Sequence, residues 1–174
     1  MTTLHELRDA IPDAAKDLKP NLGAVLAPTG APGLNDRQSW MVALATAIAA
    51  RNGAFAHRIE ELAADVLDAA AVNGAKAAAA TVGMNTICYR FTHLVEDANY
   101  RTIPARPRMN VLGNPGIDKA DFELISLAVS AVNGGGMCMN SHDAVLKMHG
   151  VAREAIQSAV RMGSVILSVA GVLA

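Results

Sequence analysis

The sequence predicts an all-α protein, and three observations carry that expectation. Alanine dominates, with 34 in a chain of 174 residues, and it is the strongest helix former. Aromatic residues make up 3%, and no stretch alternates apolar and polar residues with period two, so strands have no candidate. Apolar residues recur at helical spacing between Gly, Pro and Asn-Gly punctuation. At 52% apolar and 18% charged, with a formal net charge of −1, the chain can bury a real core and is not of disordered composition. Without a basic face, neither nucleic acid nor an anionic membrane is an expected partner.

The elements follow in order. Thr3 caps a short first helix carrying Leu4, Leu7 and Ile11. Pro12 starts a further helical turn over Ala14, Ala15 and Leu18, and Pro20 ends it. Asn21–Gly33, with two Pro and three Gly, reads as a loop. Asp36 caps a helix to about Arg51, stopped by Asn52-Gly53. The next runs from Ala54 to about Val72, stopped by Asn73-Gly74, and another covers Ala75 to about Asn99. Pro104, Pro107 and Pro115 mark a long connection. Asp118 caps a helix that ends at Asn133-Gly134, a further helix runs from near Gly136 to Met148, and the last covers Val151 to Leu173.

A shift of 81 residues places Ala47, Ala50, Asn52 and Gly53 on Ala128, Ala131, Asn133 and Gly134. Both copies read helix, Asn-Gly turn, helix. The expectation is one domain over 1–174 built from two related helical halves, roughly 1–100 and 118–174. Met1 to Pro20 lacks the apolar stretch of a signal peptide. The apolar tail Gly163–Ala174 has 12 residues, fewer than the ~20 of a membrane helix. A cytoplasmic location is therefore expected.

The chemistry concentrates in Asn133-Gly-Gly-Gly-Met-Cys-Met-Asn-Ser-His142. Three glycines before a cysteine free the backbone for a tight turn or close approach. Cys138 then falls in the first turn of a helix, where the positive end of the dipole favours a thiolate. His142, four residues on, shares its face and can take the thiol proton. A lone cysteine in an apolar chain is more often core filler, so spacing alone leaves both readings open. One Cys and one His supply two ligands where zinc uses three or four, so no metal site is expected. Cys88, 50 positions from Cys138, reads as core filler, and the pair makes no disulfide framework. Met137 and Met139 read as packing residues, and His5, His57, His93 and His149 as surface or capping residues.

Glu123 is the second candidate, an acid among Leu124, Ile125, Leu127, Ala128 and Val129. Such a residue sits either at the edge of the buried stripe or in a functional pair. It lies about 15 Å from the end of its helix, whereas His142 lies only about 9 Å into the next, at ~1.5 Å per residue. In a simple antiparallel hairpin the two miss each other, and contact needs a helix crossing, a reaching side chain or a bridging water.

The run Met109-Asn-Val-Leu-Gly-Asn-Pro-Gly-Ile117, with Phe122-Glu-Leu124, Ala128-Val-Ser-Ala131 and Asn133-Gly134, resembles the AhpD family of alkylhydroperoxidases. Ala15-Lys16-Asp17, Asn21-Leu22, Arg51-Asn52, Met84-Asn85 and Tyr89-Arg90 extend the likeness over nearly the whole chain. The wider group includes the carboxymuconolactone decarboxylases, which share the helical fold. The family's pattern is Glu, eleven residues, Cys, two residues, Cys, three residues, His. Glu123 fills the acid position, Cys138 the second cysteine and His142 the histidine. Gly135 stands at the first cysteine position, and Met137 stands where some members have a histidine.

The resemblance implies an antioxidant function, the thiol-dependent reduction of organic hydroperoxides. The second cysteine becomes a sulfenic acid, the first closes a disulfide, and the acid and histidine relay protons. It also implies a dithiol reductant such as dihydrolipoamide or another lipoyl-bearing molecule, the peroxiredoxin AhpC as partner, a homotrimer, and no bound cofactor. With Gly135 in place of the first cysteine, Cys138 can still attack a peroxide, but its sulfenic acid needs an external thiol or is open to over-oxidation. Cys88 has no evident route to the Cα separation of ~4.4–6.8 Å that a disulfide needs, and the Ser141 hydroxyl cannot form one. Two alternatives stand beside this reading: a non-catalytic oligomeric binding module of the same fold, motivated by the missing cysteine, and, third, a decarboxylase.

Overall fold

The computed structural model describes residues 2–173, as helices and their connections with no strand among the described residues. The all-α expectation holds. Helix α1 (Leu4–Asp9) opens on a capping box in which Thr3 and Glu6 each accept the other's backbone N–H, satisfying two otherwise orphaned donors. A single 3₁₀ turn, Asp13–Ala15, follows Pro12. Helix α2 (Leu18–Val25) then carries Pro20 inside its first turn, where a missing N–H has no intrahelical acceptor to lose. Pro20 therefore ends nothing, and the loop expected from Asn21 begins only after Val25.

Helix α3 (Asp36–Ala49) is capped by Asn35 rather than Asp36. Asn35 Oδ1 accepts from the Gln38 N–H at 2.8 Å, and Gln38 Oε1 accepts from the Asn35 N–H at 3.1 Å. Helix α4 (Gly53–Leu62) is capped by Asn52. The helix expected to reach Val72 stops ten residues early, because Asp68 caps a separate helix, α5 (Ala69–Ala77). Asn73-Gly74 lies inside α5 and breaks nothing. Glycine is there for contact: a Cβ on Gly74 would sit 2.6 Å from Ile117 Cδ1. A π-helical turn, Ala78–Val82, leads into α6 (Gly83–Leu94), so the helix expected over Ala75–Asn99 is shorter and re-phased. Short 3₁₀ turns at Ala98–Arg101 and Asn110–Gly113 punctuate the long connection. Helices α7 (Lys119–Val132), α8 (Gly136–Met148) and α9 (Arg153–Val172) complete the chain.

Two helices are apolar around nearly their whole circumference and are enclosed accordingly. In α3 every residue from Met41 to Ala47 is buried, and in α7 every residue from Phe122 to Ser130. They pack on each other and on α9, while α8 lies against α7 and α6. The apolar tail belongs to the 20-residue α9, long enough by itself to cross a membrane. Its buried residues recur every three or four positions, from Ala155 to Ala170, and it packs on α2, α3 and α7 as a core helix.

The helix bounds carry a repeat whose register differs from the one suggested by Asn-Gly. Asp36 and Lys119, Ala49 and Val132, and Gly53 and Gly136 are each 83 positions apart. At that spacing Arg51 (φ 64°) matches Gly134 (φ 69°), so the two turns share a left-handed residue at the same place. Trp40, Phe55 and Ile59 then stand where the second half has Glu123, Cys138 and His142, and Phe55 and Ile59 are core residues.

Candidate active site

The turn between α7 and α8 positions the cysteine. Gly134 takes the left-handed conformation, its N–H donates to the Ala131 carbonyl at 3.0 Å, and the Gly135 N–H donates to the Ser130 carbonyl at 2.9 Å. This is a Schellman ending for α7. Arg90 of α6 donates to the Asn133 carbonyl at 2.6 Å, pinning the turn from outside. Gly135 is the N-cap of α8, which makes Cys138 the third residue of that helix, at its positive end. Cys138 is 7% exposed.

Glu123, at 7% exposure, is buried rather than at the edge of the apolar stripe. His142 Nδ1 lies 2.6 Å from Glu123 Oε2, so the two meet directly and no bridging water is needed. α8 packs directly on α7, and the two long side chains span the offset along the helices that backbone spacing alone leaves open. Lys119, one turn before Glu123, places Nζ 2.7 Å from the other carboxylate oxygen, Oε1. Burial raises the proton affinity of this carboxyl, but hydrogen bonds and charge from His142 and Lys119 outweigh it and hold Glu123 below the ordinary carboxylate range. Opposite an ionised carboxylate Nδ1 is the donor, which leaves Nε2 as the ring nitrogen free for other partners.

Cys138, His142, Glu123 and Lys119 all line one cavity of about 370 Å³. Among the described residues no hydrogen bond joins Cys138 to His142; they share the cavity wall rather than a direct bond. The remaining wall is largely apolar, from Met109, Leu112, Phe122, Met137 and Val145, with Asn85 and Tyr89 of α6 entering from the side. Met137, nearly half exposed, reaches the cavity instead of serving only as packing. Asn85 Oδ1 is buried with no hydrogen-bond partner among the described residues. Cys88 stands outside the cavity lining.

The vacated cysteine position is filled from α6. A Cβ on Gly135 would lie 2.1 Å from Cγ2 of Thr86, a fully buried residue whose hydroxyl is 3.3 Å from Ser130 Oγ. Sequence reading missed Thr86 and Asn85, which α6 brings in from far along the chain, one against Gly135 and the other into the cavity wall. Lys119 was within reach, since a Lys and a Glu four apart share a helix face.

The carboxymuconolactone decarboxylase family matches residues 103–174. The chain is 48% identical over 172 residues to "Alkyl hydroperoxide reductase AhpD" of Hyphomonas neptunium, covering 99% of this chain and 94% of that protein. It is 51% identical over 166 residues to the protein of the same name from Streptomyces griseus, covering 95% and 92%. The corresponding protein of Rhodopseudomonas palustris is 49% identical over 168 residues, at 97% and 91% coverage. The chain belongs to the AhpD family. The Glu–Cys–His spacing of the AhpD pattern thus falls on residues that converge on one cavity here, and Gly135, at the remaining position of that pattern, packs against Thr86.

Proposed function

We propose that the chain is an antioxidant, thiol-dependent alkyl hydroperoxide reductase in which Cys138 is the sulfur that meets the peroxide. The observation that carries this reading is the Glu123–His142 hydrogen bond in the wall of the cavity that holds Cys138. His142 Nε2 receives the thiol proton through the solvent of the cavity. The thiolate attacks the terminal oxygen of the hydroperoxide, the O–O bond breaks, and Cys138 becomes a sulfenic acid. The leaving alkoxide takes back the proton and departs as an alcohol. Glu123 holds the imidazole tautomer throughout. The apolar wall suits the organic part of an alkyl hydroperoxide.

The reductive half runs through an external thiol, because Cys138 is the only thiol among the cavity-lining residues. One thiol condenses with the sulfenic acid and releases water; a second displaces Cys138 from that mixed disulfide. A dithiol such as dihydrolipoamide supplies both. Reduction of the peroxiredoxin AhpC, assembly as a homotrimer and a cytoplasmic location belong to the same reading, supported by the family membership. Without a resolving cysteine, dithiol turnover is slow and Cys138 is prone to over-oxidation.

The test is a single turnover with cumene hydroperoxide, trapping the sulfenic acid with dimedone and locating it by mass spectrometry. Label at Cys138, lost in Cys138→Ser and kept in Cys88→Ser, is the expected result. A protein that leaves Cys138 a thiol overturns the peroxidase and favours the non-catalytic binding module that Gly135 suggests.

A further inference from the structure

We propose that Asn85 is a catalytic residue of the peroxide reaction, its side-chain amide donating from Nδ2 to the oxygen that leaves as the alkoxide. This rests on the peroxidase reading above. Two side-chain atoms among the described residues are buried without a hydrogen-bond partner, Asn85 Oδ1 and Ser126 Oγ. Buried polar atoms are paired as a rule, so each exception calls for a reason. Ser126 is fully enclosed in the core on α7 and lines no part of the cavity. Asn85 differs, because it stands in the wall of the cavity that holds Cys138. Its Oδ1 is shut away, whereas Nδ2, also without a partner among the described residues, remains open. The amide therefore has its N–H donors free for a molecule in the cavity.

Helix α6 holds that donor in a fixed place. Thr86, the next residue, packs its methyl against Gly135, and its hydroxyl is 3.3 Å from Ser130 Oγ. One turn on, Arg90 donates to the Asn133 carbonyl at 2.6 Å. Both anchors grip the turn that leads into α8, so Asn85 and Cys138 are tied to the same piece of backbone. The reaction needs such a donor. As the thiolate attacks the terminal oxygen, its electron pair forms the S–O bond and the O–O pair leaves on the inner oxygen. That oxygen is an alkoxide until the proton given up by the thiol makes it an alcohol. The cavity wall is largely apolar, and an unpaired anion in such surroundings is costly. An N–H fixed beforehand where charge develops stabilises the transition state more than the bound hydroperoxide, whose inner oxygen is still neutral.

The experiment measures the single-turnover rate of Cys138 oxidation, located by mass spectrometry, in the parent chain, Asn85→Leu and Asn85→Ala. Two oxidants are compared. tert-Butyl hydroperoxide expels a strongly basic alkoxide, whereas peroxyacetic acid expels weakly basic acetate and needs little help from a donor. Both variants are expected to lose about 10- to 100-fold with tert-butyl hydroperoxide, the scale of one donor to a developing oxyanion. The loss with peroxyacetic acid should be several times smaller. A residue that only shaped the cavity or the thiol would slow both oxidants by the same factor. Calorimetry supplies a readout apart from activity: an amide with no partner in the fold holds nothing together, so Asn85→Leu should melt at or above the parent. Equal losses with the two oxidants, no loss with tert-butyl hydroperoxide, or an Asn85→Leu protein that melts well below the parent overturns the assignment of Asn85 and leaves the peroxidase reading intact. A parent chain whose Cys138 neither oxidant oxidises overturns both.

Discussion

Restoring a cysteine at Gly135 is the obvious way to rebuild the two-cysteine pattern, and the structure predicts that it fails alone. The new Cβ would lie 2.1 Å from Thr86 Cγ2 and 3.3 Å from its Cβ, where carbon atoms prefer about 3.5–4.0 Å. Thr86 is fully buried and its hydroxyl faces Ser130 Oγ, so rotating it away breaks that contact. Overpacking of this kind costs about 1–3 kcal/mol. In a chain of this size each kcal/mol lowers Tm by roughly 2–4 °C. Gly135→Cys should therefore melt several degrees below the parent. Thr86→Ser deletes the clashing methyl and keeps Oγ1, which lies at an ordinary 3.5 Å from the new Cβ. Thr86→Ser alone leaves a small void, yet combined with Gly135→Cys it should recover most of the lost stability, a coupling that a double-mutant cycle reads directly. The assay is calorimetry of the four reduced proteins, followed by dithiol-dependent peroxide turnover and intact mass after oxidation. The double variant should turn over fastest and lose 2 Da on oxidation, as a disulfide forms (~1 Da per thiol hydrogen). A Gly135→Cys protein as stable as the parent, or a double variant no better than the single, would falsify the packing argument.

Further expectations concern the carboxylate and the turns. Glu123 ionises below its ordinary range when folded, so its stabilising contribution is present above the unfolded value of about 4.3 and is lost as pH falls through the folded one. The Tm gap between the parent and Glu123→Gln should be widest near neutral pH and close below about pH 4; a gap that persists undiminished at pH 3 contradicts the ion-pair account. Asn52 accepts from the Phe55 N–H and donates to the Ala170 carbonyl, each at 3.0 Å. Asn52→Ala should lose about 2 kcal/mol in urea unfolding, one part from the cap and one from the tie to α9. Arg51 holds a φ of 64°, a conformation that disfavours any residue with a Cβ. Arg51→Gly should raise Tm by up to a few degrees, since the relief of about 1 kcal/mol exceeds the added chain entropy; a fall in Tm would refute the strain.

Local chemistry in the sequence foretold several elements. The Thr3 and Asp118 caps and the glycine ending of α7 lie where their residue types place them, because capping and left-handed turns depend on neighbours a few positions away. Cys138 and His142 were legible for the same reason, four residues apart on one helix. The misreadings at Pro20 and Asn73-Gly74 share one cause. Proline breaks a helix only beyond its first turn, and a glycine can be required by a distant neighbour, here Ile117, instead of by a turn. The π-helical turn before α6 had no signal in an alanine run, where every register has similar local energy.

The sequence by itself determined the helical class, the cysteine turn and the Glu–Cys–His spacing, since each rests on propensities and contacts within one or two turns of chain. Whether Glu123 reaches His142 and what fills the space beside Gly135 were decided only by tertiary structure. Those contacts depend on how α6, α7 and α8 pack, and that is set by many side chains at once, so an offset of several Å along one helix can close to a 2.6 Å hydrogen bond.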